Sequence, residues 1–344
     1  MIITKYKVAG VQAGPVYMDL KRSVDKACGY IREAAHKGAM LIAFPESFLP
    51  GFPQYIGIYN TDELFHFRRL MYDNALEIGS SEFKQLSRTA RENGIYVCIS
   101  ANERENNCIY LSQMWFDDEG NFMGKCRKMK GTTKEKLAWS DGDGSVVRVF
   151  DTKIGKLGGI QCGNHNVHVN VAALCAMGIQ VHVASWPSSN YDNPGYDNYR
   201  FYANSTKYVS ICNRTFTIMA NQVLNDTFAE VLSLGDEELK KRIPEIMEPG
   251  RPEIYGGGFS AVYNPYGEVI SNTLAPNEEG LVIADIDLDD TINGKLEWDY
   301  MGQNGSPEVL SITIDQTHYT SANFIGKSSK SSISYDEIQF DSVK

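Results

Sequence analysis

Along the first hundred residues, short apolar runs alternate with stretches patterned at the helical period. Lys5–Gln12, Met40–Phe44 and Ile95–Ser100 read as strands, and Arg22–His36 and Ser81–Glu92 read as helices. That order predicts an α/β domain with helices outside a sheet. The middle of the chain turns β-rich, with runs at Ile109–Phe116, Val146–Phe150 and Lys156–Gln161. A helical stretch at Val169–Met177, a buried run at Val181–Ala184 and a further alternation at Tyr208–Ala220 follow. Gly256–Gly258 opens the run Phe259–Tyr263, and the turn signal Asn264-Pro265-Tyr266-Gly267 leads into Glu268–Ser271, which predicts a hairpin. Gly280–Ile286 supplies another strand.

No repeat or low-complexity linker divides this pattern, so residues 1–318 are expected to form one domain with a continuous core. Residues 319–344 are polar, Ser/Lys-rich and aperiodic, and predict a flexible extension or an arm at a partner interface. Segment 223–255 mixes acidic and basic residues, carries prolines at 244, 249 and 252, and reads as a surface insertion.

Composition narrows the function. A chain of 344 residues that is 42% hydrophobic has material for a large core. Its formal net charge of −10 repels polyanions, which argues against a nucleic-acid or anionic-membrane surface and favours small-molecule chemistry. The opening MIITKYKVAGVQAG looks like a first strand rather than a signal peptide, and the lack of a run of about 18 apolar residues predicts no spanning helix. Seven dispersed cysteines without CxxC spacing suggest a reduced, cytoplasmic protein rather than a disulfide framework or zinc cage.

Three clusters place reactive residues at the ends of predicted strands, where α/β folds build their sites. In LIAFPESFLPGFP at 41–53, Glu46 sits among Phe44, Phe48 and Phe52. Apolar surroundings raise a carboxylate's pKa and suit it to proton transfer, although the same Glu could simply begin a surface loop. GKCRKMKGTTKEKLAWSDGDGS at 124–145 is rich in lysine and arginine, as solvated faces usually are, and no single lysine declares itself. KLGGIQCGNHNVH at 156–168 delivers Cys162 to a turn before a helical stretch. A thiol there can gain acidity from helix-terminal amides and a nearby ammonium, yet a lone cysteine is more often an inert core residue.

Taken together, these clusters resemble the nitrilase superfamily of carbon–nitrogen hydrolases over roughly residues 5–315. The order F-P-E at 44–46, R-K at 127–128 and Gly-Gly-x-x-Cys at 158–162 matches the Glu-Lys-Cys triad of those enzymes. E-K-L-A-W-S-D-G-D-G-S at 135–145, V-H-V-A-S-W-P-S at 181–188 and G-G-G-F at 256–259 are most similar to the nitrilase branch. The resemblance selects Lys128, which follows an Arg and precedes Glu135 by seven residues, and ranks Lys130 second. It implies a four-layer αββα sandwich, a homodimer or larger homo-oligomer, and a reaction that needs neither metal nor other cofactor. It also implies roles. Glu46 takes the proton of Cys162, Lys128 and the backbone amide of Gly163 hold the developing charge, and Glu135 orients the lysine and substrate.

The chain departs from the nitrilase pattern after the nucleophile, where Gly163-Asn164-His165-Asn166-Val167-His168 replaces a Trp-Glu start. Gly302–Glu308 replaces the G-H-Y-x-R-P-D stretch, and Gly131 replaces a Pro. These changes predict a roomier or more polar pocket, with Gly163, Asn164, His165, Trp186 and Pro187 as substrate contacts. His165 and His168 beside the cysteine also raise a metal site, which the shortage of ligands and the quenching of a thiolate argue against. The readings are therefore a nitrilase making acid and ammonia, an amidase of the same superfamily, and a catalytically silent binding protein. The intact triad argues against the last.

Overall fold

A computed structural model describes residues 2–188, 198–247, 257–318 and 332–340. The strands among them are β1 Lys5–Gln12, β2 Ala39–Ala43, β3 Tyr96–Glu105, β4 Cys108–Phe116, β5 Phe122–Arg127, β6 Val149–Thr152, β7 Gly155–Gln161, β8 Val181–Trp186, β9 Phe216–Asn221, β10 Ala261–Tyr263 and β11 Gly280–Asp287. The helices are α1 Leu20–His36, α2 Thr61–Asp73, α3 Ser81–Asn93, α4 His168–Ala176, α5 Asn198–Asn213, α6 Asp226–Leu232, α7 Glu237–Met247, α8 Asp289–Glu297 and α9 Tyr335–Phe340. One sheet has the order β11-β1-β2-β3-β4-β5 and the other β10-β9-β8-β7-β6.

Residue parity assigns the faces of these sheets. Tyr6 and Val8 of β1, Leu41 and Ala43 of β2, and Tyr96 and Cys98 of β3 share a buried layer with Val181 and Val183 of β8 and Phe216 and Ile218 of β9. The intervening residues Ala9, Val11, Ile42, Val97 and Ile99 meet Val24, Ala27 and Ile31 of α1 and Phe83, Leu86 and Ala90 of α3. On the far side, Ile160 of β7 meets Val171 and Leu174 of α4 and Val209 of α5. The layers run helix, sheet, sheet, helix, which is the αββα sandwich. Strands covered on both faces read as near-continuous apolar runs, and that is why they were legible.

Local chemistry sets the outer helices. Asp19 accepts the Arg22 N–H at 2.9 Å to start α1, and Ser80 accepts the Phe83 N–H at 3.2 Å to start α3. Gly94, at φ +59°, closes α3. At the sheet interface the approach is close on β7: a Cβ at Gly159 would fall 2.3 Å from Gln113 Oε1 and 2.8 Å from the Val183 carbonyl. Gly159→Ala is expected to cost about 1–3 kcal/mol through forced repacking, read as a lower denaturation midpoint.

Several sequence expectations change. The alternation at Tyr208–Ala220 is two elements, because Tyr208–Asn213 completes α5 while Phe216–Ala220 belongs to β9. Residues 226–247 are not a plain surface insertion. Phe228 and Leu232 of α6 and Ile243 and Met247 of α7 are buried with Tyr17, Tyr55, Phe67 and Met71, so mixed charge outside conceals an apolar face inside. Pro249, Pro252 and Gly256 lie outside the described residues, as do 319–331 and 341–344 of the tail. Within the tail, Ile333 bridges Phe122 of β5, Ile338 enters the core and the Arg91 guanidinium lies 3.9 Å from the Tyr335 ring centre. This part of the extension docks on its own chain. No helix among the described residues is long and apolar enough to cross a membrane.

Candidate active site

Strand ends deliver the site. Glu46 follows β2 and is fully buried. Its N–H donates to the Trp186 carbonyl at 3.2 Å, and its own carbonyl accepts Gln222 Nε2 at 3.1 Å. Lys128 leaves β5 with its N–H donating to the Leu111 carbonyl at 2.8 Å. Strand alternation sends Arg127 the other way, where its guanidinium bonds Glu103 at 2.6 Å and Glu105 at 2.7 Å and lies 3.5 Å from the Tyr110 ring centre. Glu135 caps the short helical turn at Thr133–Leu137, accepting the Thr132 N–H at 2.6 Å. Cys162 follows β7 and opens the short helical turn Cys162–Asn166 at φ +46°, a left-handed conformation that a non-glycine residue adopts only when its surroundings hold it there.

These four side chains converge. Lys128 Nζ lies 3.0 Å from Glu46 Oε1 and 2.6 Å from Glu135 Oε2. Ligating atoms of Glu46, Glu135 and Cys162 all lie within 4.8 Å of one another. Burial pushes the Glu46 carboxyl up to about 7, against the pull of the Lys128 ammonium. Burial and the Glu46 charge hold the Cys162 thiol well above its usual range, while Lys128 and the Gly163 amide act in the opposite sense. Burial alone would lower Lys128, but the charges of Cys162, Glu135 and Glu46 outweigh it and keep the ammonium protonated. The resting arrangement is a thiol beside a carboxylate poised near neutrality and a fixed cation. It can move one proton, offer one nucleophile and hold one negative charge.

The geometry also separates the lysines. Lys130 is exposed and pairs with Asp141 at 2.6 Å, away from the cluster. The three-residue donor set Glu46, Glu135 and Cys162 has the spacing for a cation, and the Lys128 ammonium already pairs with both carboxylates. His165 and His168 do not converge. His165 is fully buried, whereas His168 is exposed on α4 against the Tyr208 ring at 5.4 Å.

Of the residues expected to contact substrate, His165 and Asn164 have partners within the protein. His165 Nδ1 lies 2.7 Å from the Cys162 carbonyl and must donate to it, which leaves Nε2 to accept from His182 Nε2 at 3.0 Å. Both ring nitrogens are thus taken by the protein. Burial keeps His165 low, at about 4, so it stays neutral across the physiological range. Asn164 Nδ2 donates to the Lys130 carbonyl at 3.0 Å. Buried polar atoms must find partners, and here these two find them in the protein. The room left at Gly163 is filled by Thr132, whose Oγ1 would lie 3.0 Å from an added Cβ. Trp186 is stacked between His165 at 4.8 Å and Tyr202 at 4.4 Å in the apolar cluster that contains Cys162, and Pro187 is buried beside it.

Comparison with known proteins gives these atoms a context. Residues 7–295 match the family model described as carbon-nitrogen hydrolase. The chain belongs to the carbon–nitrogen hydrolase family. It is 40% identical over 336 residues to a nitrilase of Bacillus sp. (strain OxB-1), covering 98% of this chain and 96% of that one. It is 33% identical over 321 residues to an aliphatic nitrilase of Rhodococcus rhodochrous, covering 92% and 85%. Its fold is similar to that of the C. elegans NitFhit protein, with a TM-score of 0.70 at 15% identity over 98% of this chain and 73% of that one. An amidase from Nesterenkonia sp. gives a TM-score of 0.60 at 18% identity over 86% and 97%. Membership makes this hydrolase an enzyme of non-peptide carbon–nitrogen bonds.

Residues around the cluster that motif reading passed over include Ser100, Gln161, His182 and Gln222. Ser100, Gln161 and His182 are polar residues embedded in strands whose neighbours are apolar, and that mismatch was the available signal.

Proposed function

We propose that this hydrolase converts a nitrile to a carboxylic acid and ammonia, with Cys162 as nucleophile, Glu46 as proton carrier, Lys128 as charge-holding group and Glu135 as the residue that orients the lysine. The observation that carries this reading is the buried Glu46-Lys128-Glu135-Cys162 cluster, with Glu46 held near 7.

Each step follows from what the groups can do. Glu46 takes the thiol proton as sulfur bonds to the nitrile carbon, and that proton goes to the nitrile nitrogen, giving a thioimidate. Lys128 and the Gly163 N–H hold charge on the reacting group while it is tetrahedral. One water adds to carbon, the carbon–nitrogen bond breaks, and ammonia leaves with a proton returned through Glu46. A second water breaks the thioester and restores the thiol. An amide enters at the thioester stage through the same groups. The names of the sequence relatives, nitrilase and aliphatic nitrilase, favour the nitrile. Asn164 and His165 act from behind the nucleophile rather than on the substrate, since their side chains are engaged within the protein, Asn164 with the Lys130 carbonyl and His165 with the Cys162 carbonyl and the His182 ring.

Ammonia release measured across a panel of aliphatic and aromatic nitriles and the matching amides tests this. Nitriles are expected to give ammonia and acid in equal amounts. Turnover of amides with none of the nitriles makes the enzyme an amidase.

We also infer a homodimer or larger homo-oligomer. Val167, Val169, Tyr208 and Ile211, on and before α4 and on α5, are exposed apolar residues that such contacts would cover. All seven cysteines are free, which supports a cytoplasmic location.

A further inference from the structure

The inward faces of the sheets change character toward the site. Below it, the shared layer is apolar. Nearer the site, inward positions carry Ser100 and Gln113, paired within β3 and β4, together with Gln161 at the end of β7 and Ser185 of β8, all buried. Ser100 and Gln161 meet across the layer, and their contacts run to all three segments that hold the reactive side chains. Ser100 Oγ accepts the N–H of Ser47, the residue after Glu46, at 2.8 Å. It donates to Gln161 Oε1 at 2.5 Å. Gln161, the residue before Cys162, donates through Nε2 to the Leu111 carbonyl at 3.3 Å. That same carbonyl accepts the Lys128 N–H at 2.8 Å.

We propose that Ser100 and Gln161 are positioning residues that fix the spacing of Glu46, Lys128 and Cys162 through this one chain of hydrogen bonds. The proposal rests on the site reading above. Its physical basis is that the three segments come from different strands, two in one sheet and one in the other, with no covalent link to hold them in register. Two of the segments are strained: Ser47 sits at φ +53° and Cys162 at φ +46°. Left-handed backbone at a non-glycine residue relaxes unless neighbouring groups over-determine it. Ser100 holds the Ser47 N–H directly, and Gln161 is the anchor immediately before Cys162. Buried away from water, each bond in the chain has no solvent replacement.

Steady-state kinetics of Ser100→Ala, Ser100→Thr and Gln161→Met on the full chain test the proposal, with pH profiles and thermal melting. Misplacing reacting groups by about 1 Å costs about 100-fold, so Ser100→Ala is expected to lower kcat about 10- to 100-fold with KM within about 3-fold. Its acid limb should also move, because Glu46 then sits at altered distance from Lys128, Glu135 and Cys162, the groups that face it. Ser100→Thr keeps the hydroxyl and should stay within about 3-fold of the parent in kcat. The double variant Ser100→Ala/Gln161→Met should lose less than the product of the single effects. An unchanged kcat, a loss without movement of the acid limb, or an equal loss in Ser100→Thr overturns the proposal. If Ser100→Ala does not fold, Gln161→Met is judged by the same kcat, KM and acid-limb criteria. Cys162→Ala separates the two readings. If it retains turnover the site assignment fails, whereas a dead Cys162→Ala beside a fully active Ser100→Ala overturns only the positioning role.

Discussion

Cys162→Ala is expected to release ammonia from the preferred substrate about 10⁴-fold or more slowly than the parent, while melting within a few degrees of it. The first part follows from the chemistry. With no sulfur there is no thioimidate or thioester, and removal of a covalent nucleophile leaves only the rate that binding and charge stabilisation supply. The second part follows from the backbone. Cys162 holds φ +46°, alanine has the same Cβ, and the left-handed strain is therefore equal in both proteins. What is lost is a small buried sulfur, which is a modest packing change next to the loss of turnover. Intact mass in the presence of a slowly hydrolysed substrate should show an acyl adduct on the parent and none on Cys162→Ala. Undiminished ammonia release by the variant would remove Cys162 from the reaction.

Glu46→Gln is expected to lower kcat by about 10³-fold and to abolish the acid limb of the rate profile. In the parent, burial, with the Glu135 charge adding to it, places Glu46 at about 7 in the face of the Lys128 ammonium. The working form is the carboxylate, so the rate rises with pH through about 7. The sign for stability is the opposite. Glu46 binds its proton more tightly folded than at the ordinary value of 4.5, so its contribution is fully present below about 4.5 and is lost as pH rises through about 7. Glutamine stays neutral throughout. The stability of Glu46→Gln relative to the parent should therefore improve between pH 4.5 and 7, while Lys128 keeps its 2.6 Å contact with Glu135. Denaturation midpoints of both proteins across that range check it, and a parent that gains on the variant as pH rises contradicts the assignment. The two measurements together distinguish a proton carrier from a residue that merely supports the fold, because only the former couples a kinetic limb near 7 to a stability slope of opposite sense.

Most of the strands and the first and third helices were legible because their signals are local, whereas β5, which leads to Lys128, carried no predicted run and Glu268–Ser271 forms only a single bridge, Val269 to Tyr263. Lys5–Gln12 carries its own alternation, and α1 and α3 carry a buried stripe with Asp19 and Ser80 as caps. Glu46 and Cys162 were marked in the same way, as reactive residues at the ends of apolar strands. Other features were not local. α6 and α7 looked like a charged insertion because the apolar residues they bury, Phe228, Leu232, Ile243 and Met247, are few and their partners Tyr17, Tyr55 and Phe67 lie far away in sequence. The partners of His165 were not legible either, because a sequence shows a donor and an acceptor without showing which atoms use them.

The sequence by itself determined which residue types arrive at strand ends and in what order, and that specified the chemistry: a thiol, a carboxylate and an ammonium. Only the tertiary structure brought Lys128, the lysine the resemblance selects, against the two carboxylates, with Arg127 turned instead to buried Glu103 and Lys130 paired with Asp141 at the surface. It alone placed His165 against the Cys162 carbonyl and joined Ser100 to Gln161 across the sheets. The physical reason is the range of the forces involved. Periodicity and capping act within a few residues, whereas the burial that raises Glu46 and the hydrogen bonds that set its distance from Cys162 exist only once two sheets have closed on one another.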